Sequence, residues 1–161
     1  QNKTTKQHKT MIFLLWIFLF ILSAGEAFMC ALYLLSYSDF EDDEMGTLDI
    51  AARLNPFIKL EYALHTFSMF LLLVFGRWGV IILNLPLFIY HLKRFYMKEH
   101  IIIARQLYKK LKYLKTESIV KIVVYTVFFF LYFYFMIRDI IRFALDSGNL
   151  EEIVEKLGLF K

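Results

Sequence analysis

The chain has 161 residues, 59% of them hydrophobic and 19% aromatic, and its 19 basic and 15 acidic side chains leave a net charge of +4. Soluble domains run at roughly 45–50% apolar residues. The excess here falls in long unbroken runs, which excludes an ordinary soluble domain and marks an integral membrane protein. A single cysteine, Cys30, excludes an internal disulfide framework and a cysteine-rich zinc site.

Residues 1–10 are polar and carry Lys3, Lys6 and Lys9. The following 27 residues, Met11 to Tyr37, hold one charge, Glu26. A hydrocarbon core about 30 Å thick is crossed by roughly 20 residues of helix, so 11–37 is predicted as the first span. The basic start imitates a signal peptide, with Ser23-Ala24-Gly25 as a small-residue cleavage site. The apolar run resumes at Ala27, however, which a removed signal does not need. The absence of an initiator Met leads us to expect a fragment or a processed chain.

An acidic loop, 38–56, follows. Within 57–96 the apolar runs are broken by Gly76-Arg77-Trp78-Gly79. One continuous helix there would be about 60 Å long and would bury Arg77 at mid-membrane, at a cost of roughly 2.5–3.5 kcal/mol. Two spans, 57–76 and 78–96, put Arg77 and Trp78 at an interface instead, where both are favoured. After a basic loop, 97–118, the last span is predicted at 119–142, aromatic and carrying a single charge, Lys121, between Ile119 and Ile137. Leu150, Ile153, Val154 and Leu157 then recur at helical spacing behind Ser147-Gly148-Asn149, which predicts a short helix over 149–158. The fold class is therefore all-α: a polytopic four-transmembrane-helix bundle.

Charge sets part of the orientation. Residues 93–118 carry eight bases and two acids, whereas 38–62 carry seven acids and two bases. With four spans the Lys and Arg count is ten against eight in favour of cytosolic loops. With three it is eleven against six, with a cytosolic N-terminus. Both readings put 93–118 in the cytosol, and charge alone leaves the N-terminal side open.

No catalytic set is apparent. His65, His91 and His100 lack HExxH or cysteine partners, and no GxSxG, Walker-type or GxGxxG pattern occurs. Glu41-Asp42-Asp43-Glu44 reads as a solvated loop before it reads as a cation site. Glu26 and His65 lie inside predicted spans, where an ionisable residue is a functional candidate. Asn84 and Pro86 add a polar and a kinking feature to the third span. We expect no enzyme, no cofactor, no metal and no nucleic-acid partner.

Leu54-Asn55-Pro56, Glu61-Tyr62, His65, Trp78, Leu83-Asn84-Leu85-Pro86-Leu87, Tyr90-His91 and Arg94 together resemble the cornichon family. The resemblance is close over 54–97. It extends more loosely upstream through Asp39-Phe40 and Asp49, and downstream through Glu117-Ser118 and the aromatic fourth span. It implies a four-helix membrane bundle with both termini lumenal. It also implies a cargo receptor that selects transmembrane proteins for COPII-vesicle export from the endoplasmic reticulum to the Golgi. The alternative it offers is a resident auxiliary subunit of an ion channel or transporter.

Two sets of residues follow from the resemblance. The coat-binding counterpart is Leu107-Tyr108-Lys109-Lys110-Leu111. Here Leu107, Leu111 and Leu114 also give a helix one apolar and one basic face, fit for anionic lipid headgroups or a coat groove. Cargo contacts are expected from Glu26, Tyr62, His65, Phe70, Trp78 and Asn84. The expected partners are transmembrane cargo, COPII coat subunits and membrane lipids. Leu60 stands where the family usually has Pro, and Arg77 replaces an acid or aromatic before Trp78.

Overall fold

The computed structural model describes the backbone of residues 2–146 and the side chains of 7–142. The order is α1 (Asn2–Glu41), α2 (Thr47–Val74), α3 (Trp78–Tyr96), a 3-10 turn (Ala104–Gln106) and α4 (Leu107–Asp146). No strand occurs among the described residues. The short helix expected over 149–158 lies outside them.

Among the described residues, three helical stretches are long and apolar enough to cross a membrane: Gln7–Glu41, Thr47–Val74 and Ala104–Arg142. The expected four spans are thus three by length and composition. The helix that falls short is α3. Its 19 residues include Asn84, Pro86, Tyr90, His91, Lys93 and Arg94, and these dilute the apolar run that a self-sufficient span needs. The helices also overrun the expected boundaries. α2 begins at Thr47 and carries Pro56 inside it, within the segment 38–56 expected as a loop. α4 begins at Leu107, so the basic segment 107–118 is its first three turns rather than loop.

Each turn has a local cause. α2 ends in a Schellman motif: Arg77 N–H donates to Leu72 O and Gly76 N–H to Leu73 O. Gly76 takes φ +64°, a conformation that a Cβ disfavours. α3 then runs back antiparallel to α2. Tyr62 stacks on His91 with ring centroids 4.3 Å apart, and His65 meets Phe88 one turn further along α2 and one turn back on α3. The connection to α4 is pinned to α2 by Asn55. Its side chain donates to Ile102 O (3.2 Å) and accepts from Ile102 N–H (2.8 Å).

The chain divides into two compact units, residues 1–21 with 128–161 and residues 22–127. In the first, Trp16 stacks on Phe135 (4.8 Å) and donates Nε1–H to Asp139 (2.8 Å), while Phe20 packs on Phe129 (4.3 Å). The second holds α2, α3 and the polar interior. Its outward surface is apolar, with Phe67, Phe70 and Leu73 on α2, Ile82, Ile89 and Leu92 on α3, and Ile119, Val123 and Val127 on α4 all exposed. Apolar outside and polar inside is the arrangement hydrocarbon solvent requires.

Candidate functional site

Helical spacing brings ionisable groups inward in successive turns. Glu61 and His65 sit four apart on α2, Glu117 and Lys121 four apart on α4, and His91 and Arg94 three apart on α3, so each pair shares a helix face. α1 adds Glu26 and Cys30 at the same spacing. These faces meet in the interior of unit 22–127.

The centre is Glu61, 0% exposed, against Lys121, 5% exposed. Lys121 Nζ lies 3.1 Å from Glu61 Oε1 and 3.2 Å from Glu117 Oε1. Arg94 pairs with the other Glu117 oxygen and also reaches Glu99 O. Tyr125 donates its hydroxyl to Glu61 Oε1 (3.0 Å), and His91 Nε2 stands 3.5 Å from the same oxygen. Two carboxylates thus face one ammonium and one guanidinium. A buried ion pair persists only when its charges are matched, and they are matched here, two against two. The ionised groups are spent on one another, so the cluster fixes the register of the helices. Among the described residues no three His, Cys, Asp or Glu side chains gather to hold a metal ion.

Of the residues singled out from sequence, Glu26 and His65 come within 3.9 Å. Tyr62 is buried between the His91 ring and Lys121, whose Nζ lies 5.3 Å from the Tyr62 ring centre. Asn84 is buried and donates to Val80 O (2.8 Å) on its own helix. Phe70 and Trp78, by contrast, are exposed. The six expected cargo contacts therefore divide into four interior groups and two outward ones.

The 107–111 segment divides as well. Leu107 is 1% exposed and Leu114 also buried, so the apolar face turns into the protein rather than toward headgroups or a groove. Tyr108, 71% exposed, points outward with Lys109, and its ring centroid lies 4.7 Å from that of Phe40 at a tilt of 56°. Lys110 and Leu111 are half-buried.

The family model for Cornichon protein matches residues 12–134, most of the chain and all of the buried cluster. The chain belongs to the cornichon family. Among its relatives are ER-derived vesicles protein ERV15 of Saccharomyces cerevisiae, 32% identical over 71% of this chain and 81% of that one. ER-derived vesicles protein erv14 of Schizosaccharomyces pombe is 30% identical over 66% of this chain and 77% of its own length. Protein cornichon of Drosophila melanogaster is 30% identical over 73% and 88%.

In this cornichon chain the sequence reading missed the pairing of Glu61 with Lys121. The signal was present. Lys121 is the lone charge between Ile119 and Ile137, and an unpaired ammonium there demands a carboxylate from another helix. Searching for pairs along one span could not find it, because the partners lie 60 residues apart.

Proposed function

We propose that this membrane protein is a non-enzymatic cargo receptor, gathering transmembrane proteins in the endoplasmic reticulum for COPII-vesicle export to the Golgi. The observation that carries the reading is the family match over 12–134, with relatives named for ER-derived vesicles. The surface agrees with it. Phe70 and Trp78 stand on an apolar exterior, where a client helix can pack in lipid through contacts of roughly 0.6–2 kcal/mol each. Glu26, Tyr62, His65 and Asn84 support that exterior from inside. Modest contacts of this kind suit release after transport.

The coat contact is assigned to the outward groups of the basic segment, Tyr108 and Lys109. Orientation follows the positive-inside excess of 93–118. The antiparallel return of α3 along α2 brings 97–106 back to the Asn55 end of α2, which supports lumenal placement of both termini.

The test is client export in cells whose own cornichon proteins are removed and replaced. Phe70→Ala with Trp78→Ala should reduce client binding, and Tyr108→Ala with Lys109→Ala should leave binding intact but slow exit. Export unchanged by both pairs, in protein that reaches normal levels, overturns the reading. A client that stays attached at its final membrane would favour an auxiliary subunit instead.

A further inference from the structure

Where α3 turns toward α4, a cavity of about 380 Å³ opens inside unit 22–127. Its charged lining is Arg94, Lys98, Lys110 and Lys121 against Glu99 and Glu117. Three of the four cations are engaged: Arg94 with Glu117, Lys110 with Glu99 and Lys121 with Glu61. Lys98 makes no ion pair among the described residues, so the cavity carries a surplus positive charge.

A second space, of about 420 Å³, runs between α2 and α3. Its walls are Ala63, Thr66, Phe88, Leu92 and Phe95, chiefly apolar and open on the exposed side of both helices, and Lys59 also lines it. Tyr62 and His100 line both spaces, so the basic cavity and the apolar groove adjoin.

We propose that the two together hold one anionic glycerophospholipid, its headgroup phosphate against Lys98 in the basic cavity and an acyl chain in the α2–α3 groove. The groove faces hydrocarbon, so an acyl chain is what its surroundings supply. The surplus cation selects a net-negative headgroup over a zwitterionic one. Backbone geometry adds a second line. Lys98 occupies the Schellman position after α3 at φ +55°, with Lys98 N–H donating to Phe95 O and Glu99 N–H to Arg94 O. The equivalent position after α2 is Gly76, and after α1 it is Asp43 (φ +57°), both residue types that tolerate this conformation. Among the described turns, that after α3 alone accepts an unfavourable residue there, and that residue is an unpaired cation of the cavity.

The experiment is native mass spectrometry of the full chain in mild detergent. It compares phosphatidylserine, phosphatidylcholine and water-soluble glycerol 3-phosphate. Phosphatidylserine should be retained over phosphatidylcholine by about fivefold, the worth of one lysine at a membrane surface. Lys98→Gly should abolish that preference, and because glycine relaxes the turn the variant should unfold no more easily than the parent. Ala63→Phe, which fills the groove without altering charge, should reduce retention of both lipids. Equal retention of the two lipids overturns the proposal, as does a preference that survives Lys98→Gly. Glycerol 3-phosphate binding as tightly as the lipid would overturn it too, leaving a soluble-phosphate site.

Discussion

The unit of residues 1–21 and 128–161 and the unit of residues 22–127 are held by opposite chemistries. In the first, Trp16, Phe20, Phe129 and Phe135 overlap as rings, and Trp16 adds an indole N–H on Asp139. In the second, Glu61, Lys121, Glu117 and Arg94 are buried ions. Ring contacts are worth about 0.5–1.5 kcal/mol each and fail one at a time. Ion clusters fail together, because removing one member strands the rest in a low-dielectric interior. The charged unit should therefore have sharply specified helix positions and little tolerance for substitution, and the ring-stacked unit the reverse.

The harshest way to break that contrast is Lys121→Met. It leaves Glu61 and Glu117 facing each other with Arg94 as their remaining cation. The expected loss is about 3–5 kcal/mol, read by unfolding in mixed micelles. Adding Glu61→Gln should recover much of it, since the double change removes the charge that the single one stranded. A single variant no weaker than the double would mean the cluster is not paired as described.

Next in size is Asn55→Ala, which deletes both hydrogen bonds to Ile102 and leaves that backbone pair unsatisfied. It should cost about 1–3 kcal/mol. Hydrogen exchange should rise over 97–103 and stay unchanged along α4. A rise spread over the whole chain would contradict a local clamp.

These residues show how far the sequence could be read. The helical class followed from Met11–Tyr37 and Ile119–Ile137, where one charge per run leaves a membrane helix as the only outcome. The acidic loop was expected to run to residue 56, yet α2 starts at Thr47 and runs through Pro56. Leu107, Leu111 and Leu114 showed a helix with an apolar face, but a one-dimensional pattern does not say whether protein or lipid covers it. Protein covers Leu107 and Leu114. α3 reads as a span by length, while its buried Asn84, His91 and Arg94 belong to the polar interior. The Glu61–Lys121 pair was hidden because its partners come from different helices, and no local spacing links them.

A smaller effect comes from the ring-stacked unit. Trp16→Phe keeps an aromatic surface against Phe135 but removes the Nε1–H donated to Asp139. Asp139 retains its contact with Arg138 (3.1 Å), so the loss should be about 1 kcal/mol. A loss as large as that of Lys121→Met would erase the distinction between the two units.

The smallest effect isolates burial from charge. Glu41 and Lys115 form a second carboxylate–ammonium pair that joins α4 to another helix, as Glu61 and Lys121 do. The Glu41 side chain is 52% exposed, however, and that of Lys115 is 22% exposed. Water and salt then compete for both ions, and an exposed pair contributes roughly 0–1 kcal/mol. Glu41→Gln should therefore shift unfolding by less than about 1 kcal/mol, and that shift should shrink as salt is raised, since charges exposed to solvent are screened. The destabilisation by Lys121→Met should be nearly salt-independent. If instead the two variants lost similar stability and responded alike to salt, the interior pair would be in contact with water. The comparison between a ring-stacked unit and an ion-locked one would then fail at its foundation.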